Sequence, residues 1–258
     1  MVPTTIGFVG GGRVTRIMLG GWQRQGWAPE RIVVSDSNAE GLAKLKDSYP
    51  SIEIAPNDNC AAAAQDIVFI GLHPPVFAGL FDEIKASLKP ATIVVSLAPK
   101  VSIAKLSSGL GTDKIARLIP NAPSIVNAGY NPVAFSTGLS AAERALLCEM
   151  LNLLGDSPEV DEAKLEAYAI LTAMGPTYLW FQLYELKAIG ESFGLTPQEV
   201  TAGLEAMVMG TARTMTAAHL APEGVMDLIP VKPLGEDEAA VKNFYHTRLE
   251  AVYAKLKS

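Results

Sequence analysis

Five short apolar runs, each about the length of a strand and each followed by a stretch of helical periodicity, constrain this chain most. They fall at residues 6–9, 31–34, 66–70, 92–95 and 116–119. Their apolar residues are nearly continuous instead of alternating, which marks strands buried on both faces, as in a parallel sheet covered by helices. Residues 13–25, 40–46, 76–88 and 142–154 supply the helical spacing between and after them. Weaker strand signals lie at 52–54, 132–135 and 159–160. Residues 1–160 are therefore expected to form an α/β domain, a doubly wound sheet.

After Asp161 the β pattern fades. Residues 163–173, 177–193, 197–217 and 238–257 read as helices, the third opened by Thr196 as N-cap, Pro197 at the first helical position and Glu199 as capping-box partner. The expectation is an all-helical second domain over residues 161–258. Within it Leu179, Trp180, Leu183, Leu186, Ile189 and Phe193 form an apolar stripe wider than one small bundle buries. A second copy of the chain is the expected cover, in a homodimer or higher homo-oligomer.

Several function classes drop out on composition. The formal net charge is −6 and no block of basic residues occurs, so neither nucleic acid nor an anionic membrane surface is an expected partner. Asp66, Pro90 and Pro99 interrupt the longest apolar stretches, well short of the roughly 20 residues that span a bilayer. Cys60 and Cys148 stand far apart with no partner at metal-ligand spacing, so no metal site and no disulfide framework is expected. With no signal-peptide pattern at residues 1–5, the protein is expected in the cytoplasm.

The most specific chemistry follows the first strand. Gly10-Gly11-Gly12-Arg13-Val14-Thr15 connects that strand to the first helix, the placement a dinucleotide fingerprint requires. Gly10 permits the tight turn, Gly12 lets backbone approach a pyrophosphate, and the helix N-terminus offers unpaired N–H groups. Thr15 occupies the third fingerprint position, normally Gly or Ala, and predicts a slightly wider separation of helix and strand. Asp36 lies 24 residues beyond Gly12, where an acid binds the ribose of NAD. Ser35, Ser37, Asn38 and Arg13 suit a 2′-phosphate instead, and Asp36 is also placed to cap the next helix, so the coenzyme is NADP or NAD. His73-Pro74-Pro75, Ala98-Pro99 and Pro120-Asn121-Ala122-Pro123 end later strands, where an open sheet places its ligands. His73, Pro74 and Ala98 join the candidate coenzyme contacts. Asn121 is a candidate for a ligand amide or for its own turn.

Three segments together resemble the pyrroline-5-carboxylate reductase family: Ile6 through Gly12, Arg117-Leu118-Ile119-Pro120-Asn121-Ala122-Pro123, and Leu171-Thr172-Ala173-Met174-Gly175-Pro176-Thr177-Tyr178. The resemblance implies a Rossmann domain followed by a helical dimerisation domain, NAD(P)H as hydride donor and reduction of a five-membered cyclic imine acid to proline. It also places Asn121, Thr172 and Thr177 at the border of the substrate. The chain departs from the family at Arg13-Val14, at Met174 among otherwise small residues, and at residues 226–235, where a loop of small and hydroxyl residues has no counterpart.

Imine reduction also suits the residue inventory. A protonated imine loses positive charge as hydride arrives, so its site needs alignment and water exclusion more than a strong acid. The chain has three histidines and no Tyr-x-x-x-Lys pair in the first domain. Lys187, on a helix of the second domain, reads as solvated side chain before catalytic acid. The same architecture would also serve another imine, a keto acid or a redox carrier, or a nucleotide-binding regulator without catalysis.

Overall fold

The computed structural model describes residues 4–72 and 77–257. The expected coenzyme contacts His73 and Pro74 lie outside the described residues. Seven strands form the main sheet: β1 (Thr5–Val9), β2 (Arg31–Asp36), β3 (Glu53–Pro56), β4 (Ile67–Ile70), β5 (Ile93–Ser96), β6 (Ile115–Leu118) and β8 (Val133–Phe135). Their order is β3-β2-β1-β4-β5-β6-β8, parallel throughout except for the antiparallel pairing of β6 with β8. The strand order reverses between β1 and β4, and a crevice at such a switch point is where open α/β sheets bind ligands.

Continuous apolar strands follow from burial on both faces. Ile6 and Phe8 of β1 pack with Met18 and Trp22 of α1 (Arg13–Arg24) and Leu42 of α2 (Ala39–Ser48). Val9, Val33 and Val68 pack on the other face with Ala62 of α3 (Asn59–Ala63), Leu80 of α4 (Phe77–Ile84) and Leu106 of α5 (Ile103–Leu110). Phe8 and Phe69 stack with ring centroids 5.0 Å apart. The Trp22 indole N–H donates to the Met150 carbonyl at 3.1 Å, tying α1 to α6 (Ala141–Asn152). A capping box between Ser140 and Glu143 starts α6.

The weaker strand signals resolve differently. Residues 132–135 become the edge strand β8, whereas 159–160 contribute only an isolated bridge from Glu159 to Val133. Two short strands, β7 (Gly129–Tyr130) and β9 (Gly155–Asp156), pair outside the main sheet.

Contacts divide the chain into one unit of Met1–Met174 with Val252–Ser258 and another of Gly175–Ala251, not at residue 160. Packing explains the shift. Leu165 and Ala169 are buried in a cluster with Ile119 and Ala134, and Leu256 packs against the same cluster. The expected helix over 163–173 is a 3-10 turn, then α7 (Leu165–Tyr168) and a π-helical turn (Ala169–Ala173).

The second unit holds α8 (Pro176–Ser192), α9 (Pro197–Ala217), α10 (Pro222–Asp227) and most of α11 (Glu238–Lys257). Thr196 and Glu199 form the expected capping box of α9. Among the described residues of this unit only Val200 is buried, while Phe181, Tyr184 and Phe193 are 68%, 72% and 81% exposed. No helix of the described residues is long and apolar enough to cross a membrane.

Candidate functional site

The bend between β1 and α1 rests on hydrogen bonds to its neighbours. Gly10 N–H donates to the Ser35 carbonyl at 2.8 Å, and Gly71 N–H donates to Val9 at 2.8 Å, so the loops after β1 and β4 meet at the switch point. Gly10 adopts φ +110°, and a Cβ there would lie 3.1 Å from the Gly71 carbonyl oxygen. Only glycine fits that combination. Gly12 is the N-cap of α1 with no side-chain cap, and a Cβ added to it would meet nothing within 4 Å. The unpaired first-turn amides of α1 thus begin beside open space, the cradle that a pyrophosphate fits.

Thr15, at the third fingerprint position, bonds the first helix to the glycine bend. Its side chain is buried, and its hydroxyl donates to the Gly10 carbonyl at 2.6 Å. Val14 packs on the adjoining core, and Arg13 is exposed.

At the end of β2 the alternation of faces separates the polar candidates. Asp36 faces the glycine bend: one carboxylate oxygen accepts Gly11 N–H at 2.7 Å and the other accepts Asn38 N–H at 2.8 Å. Asn38, not Asp36, caps α2 by accepting Gly41 N–H at 2.9 Å. Ser35 points the opposite way, fully buried, and its hydroxyl donates to Asn59 Oδ1 at 2.8 Å. Its side chain is thereby withdrawn from the coenzyme contacts expected of it, whereas Ser37 is exposed. Between α1 and α2 lies a cleft of about 320 Å³ lined by Gly11, Gly12, Arg13, Arg16, Asp36 and Lys44, among others. Ala98, after β5, is buried, so it would meet a coenzyme through its backbone.

Beyond β6 the structure brings Asn121 and Thr172 together, as a clip. Asn121 Nδ2 donates to the Thr172 carbonyl at 3.3 Å, while its Oδ1 accepts Tyr130 N–H at 3.2 Å. The Asn121 backbone N–H in turn donates to Asn131 Oδ1 at 3.1 Å. The need for this clip is local: the residue four beyond Thr172 is Pro176, which has no N–H to continue the helical ladder. The Thr172 hydroxyl donates to the Tyr168 carbonyl at 2.9 Å. Asn121 and Thr172, two of the three residues expected to border the substrate, are therefore engaged in holding the backbone. Thr177 belongs to the second unit.

Sequence reasoning missed two contributors to this edge. Arg117, 3% exposed, donates from Nη1 to Glu162 at 2.9 Å and from Nη2 to Glu166 at 2.7 Å. Burial alone would raise the Glu166 carboxyl, yet the Arg117 hydrogen bond and charge hold it below the usual range. Tyr130 and Tyr168 pack with centroids 5.9 Å apart, and burial followed by the hydrogen bond to Tyr168 raises the Tyr130 hydroxyl. Neither signal was available from spacing, because the partners lie 45, 49 and 38 positions apart in sequence (162 − 117, 166 − 117 and 168 − 130). Lys187 lies 4.0 Å from Glu191 on its own helix, as expected of a solvated side chain. No group of acidic, His and Cys side chains suited to a metal occurs among the described residues.

A parallel sheet with a glycine bend and a bare helix start at its switch point defines a dinucleotide-dependent oxidoreductase of the NAD(P) class. Comparisons with known proteins agree. A family model described as "NADP oxidoreductase coenzyme F420-dependent" matches residues 5–100. Pyrroline-5-carboxylate reductase of Pseudomonas aeruginosa is 26% identical over 254 residues, covering 98% of this chain and 92% of that protein. The Escherichia coli pyrroline-5-carboxylate reductase is 28% identical over 227 residues, covering 87% and 84%. In fold the chain is similar to the crystal structure of Plasmodium falciparum pyrroline carboxylate reductase with NADP bound, at TM-score 0.82, 18% identity and coverage of 100% and 98%. Over most of its length the chain is thus similar to pyrroline-5-carboxylate reductases in sequence and in fold.

Proposed function

We propose that this protein reduces 1-pyrroline-5-carboxylate to L-proline with NAD(P)H. The observation that carries the reading is the open cradle at Gly12 against the start of α1, joined to a chain-wide similarity to reductases of that name. Bound NAD(P)H supplies the hydride. Gly12 and the first amides of α1 would hold its diphosphate, with Gly10 and Gly11 shaping the bend through their own hydrogen bonds, and the backbone at Ala98 would border it. Asn121 positions the substrate edge by fixing the loop after β6 to the π-helical turn. The Arg117–Glu162–Glu166 ion pairs brace the same edge from behind. An iminium needs no strong acid, and the residues at this edge accordingly do alignment instead of proton donation. The test is oxidation of NADPH or NADH with authentic pyrroline-5-carboxylate, with proline measured as product. Coenzyme binding without proline formation would remove the substrate and keep the class.

A second substrate reading rests on one observation. Where the resemblance calls for a loop of small and hydroxyl residues, this chain has the end of α10 and exposed Met226, Leu228, Ile229 and Leu234. That departure from the resemblance favours a different cyclic imine, lacking the carboxylate or carrying an apolar substituent. A panel of cyclic imines, with and without the carboxylate, separates the two.

The exposed apolar face of α8 and α9 is proposed to be covered by a second copy of the chain, giving a homodimer or higher homo-oligomer. Light scattering on the eluting protein tests this, and a monomer at micromolar concentration would overturn it.

A further inference from the structure

We propose that the cleft between α1 and α2 receives the 2′-phosphate of NADPH, and that Arg13 and Arg16 select this coenzyme over NADH. The inference rests on the coenzyme reading above and deepens it.

Position comes first. The cleft is lined at once by Gly11 and Gly12, beneath which the diphosphate lies, and by Asp36 at the end of β2, where the adenosine ribose of a dinucleotide sits. A group attached to the ribose 2′ oxygen extends from that point into the space between the two helices. Charge comes next. Arg13 and Arg16 are three residues apart on α1, so both project from the same side of the helix, and both line the cleft. Neither forms an ion pair among the described residues, although the chain as a whole carries a net charge of −6. Lys44, the third cation lining the cleft, is instead paired with Glu40 at 2.6 Å. Two exposed guanidinium groups outside any ion pair are free to turn towards an anion in the cleft, and their planar donor forks match phosphate oxygens.

The role of Asp36 supports the same conclusion. A carboxylate that selects NAD keeps its oxygens for the ribose hydroxyls and repels a phosphate. Here each oxygen accepts a backbone N–H, from Gly11 and from Asn38, so the carboxylate closes the loop and part of its charge is balanced by those dipoles. The hydroxyl of Ser35, turned into the interior, is not needed. The specificity residues are thus on α1 instead of the strand end, where the fingerprint directs attention.

The experiment is direct titration of the full-length protein with NADPH and NADH, followed by nucleotide fluorescence, together with competition by adenosine 2′,5′-bisphosphate and adenosine 5′-monophosphate. The wild-type protein is expected to bind NADPH at least roughly tenfold tighter than NADH, the size of one charge-assisted contact. The bisphosphate should outcompete the monophosphate by a similar factor. Arg13→Gln with Arg16→Gln should reduce the NADPH to NADH affinity ratio to about 1, and raising salt should lower the wild-type ratio. Equal or tighter binding of NADH by the wild type would overturn the proposal. So would equal weakening of both coenzymes by the double variant, which would assign the arginines to the diphosphate. Binding of neither coenzyme would instead remove the underlying coenzyme reading. A melting temperature within a few degrees of wild type shows that the variant is folded, and Arg16→Lys, which retains charge without the fork, should keep part of the ratio.

Discussion

Replacing Gly12 by alanine separates a coenzyme cradle from a structural turn. The backbone at Gly12 is at φ −79° and ψ −158°, open to any L-residue, and the added methyl meets no atom within 4 Å. Alanine is a poorer N-cap than glycine by up to about 1 kcal/mol, while the loss of backbone freedom in the unfolded chain returns about 0.4–1 kcal/mol. The apo-protein should therefore melt within about 4 °C of wild type. The methyl occupies the space where diphosphate approaches the helix amides, and a tenfold loss of affinity, about 1.4 kcal/mol, is a conservative expectation. At a coenzyme concentration of 100 times the wild-type Kd, binding stabilises wild type by about 2.7 kcal/mol and Gly12→Ala by only about 1.4 kcal/mol. Paired thermal melts with and without NADPH read that difference. An unchanged coenzyme-induced shift would refute the placement of the diphosphate over residue 12. Loss of more than about 2 kcal/mol without ligand would show that the glycine serves the fold itself.

Further outcomes follow from the packing around the site. Thr15→Val keeps the shape but strips the buried Gly10 carbonyl of its donor, and should cost about 1–3 kcal/mol in urea unfolding while weakening coenzyme binding. Arg117→Met leaves Glu162 and Glu166 without their cation and should cost about 3–5 kcal/mol at neutral pH; Glu166→Gln in that background should recover part of it. Glu143, hydrogen-bonded first to Lys114 and then to the Ser140 backbone, is held at about 2 against an ordinary 4.5. Because this folded-state value is depressed, its stabilisation is complete above about pH 4.5 and is lost as pH falls towards 2, on the order of 1–2 kcal/mol after allowance for partial exposure. Glu143→Gln should flatten unfolding free energy between about pH 4.5 and 2, and an unchanged slope would remove Glu143 as its source.

The parts of this molecule that were legible in sequence are those where one physical signal dominates. Double-sided burial made the five central strands continuous apolar runs, and the glycine bend announced itself because φ +110° at Gly10 admits almost nothing else. Helix α3 was not legible, since Asn-Cys-Ala-Ala-Ala carries no apolar contrast of its own. Ser35 and Asp36 are neighbours in sequence yet face opposite sides of the sheet, so two adjacent candidates proved to have unrelated partners, Asn59 and Gly11. The shift of the unit boundary to Met174 had the same origin: Leu165 and Ala169 read as the first turn of a new helical domain, but their apolar faces pack on Ile119 and Ala134. Periodicity reports that a residue is buried, not what it is buried against.

Asn121 shows how a side chain in a candidate site can be conscripted by the backbone, and the idea has a quantitative test. In an unbroken α-helix the Thr172 carbonyl would accept the amide of residue 176, and proline removes that donor. The Asn121 side-chain amide takes its place at 3.3 Å, and Met174 N–H reaches back to Ala169 at 3.0 Å across the π-helical turn. Asn121→Ala should then remove the side-chain donor to the Thr172 carbonyl and the acceptor of the Tyr130 amide and cost about 1–3 kcal/mol. In a Pro176→Ala background a backbone donor is available again, so the same substitution should cost less, with a coupling energy of about 0.5–1.5 kcal/mol in the double-mutant cycle. Strictly additive free energies would refute the idea that Asn121 substitutes for the missing proline N–H. If activity in the single variant falls mainly through kcat and is partly restored in the double variant, Asn121 acts by positioning the edge of the site; a loss in KM that Pro176→Ala leaves untouched would place its amide on the substrate itself.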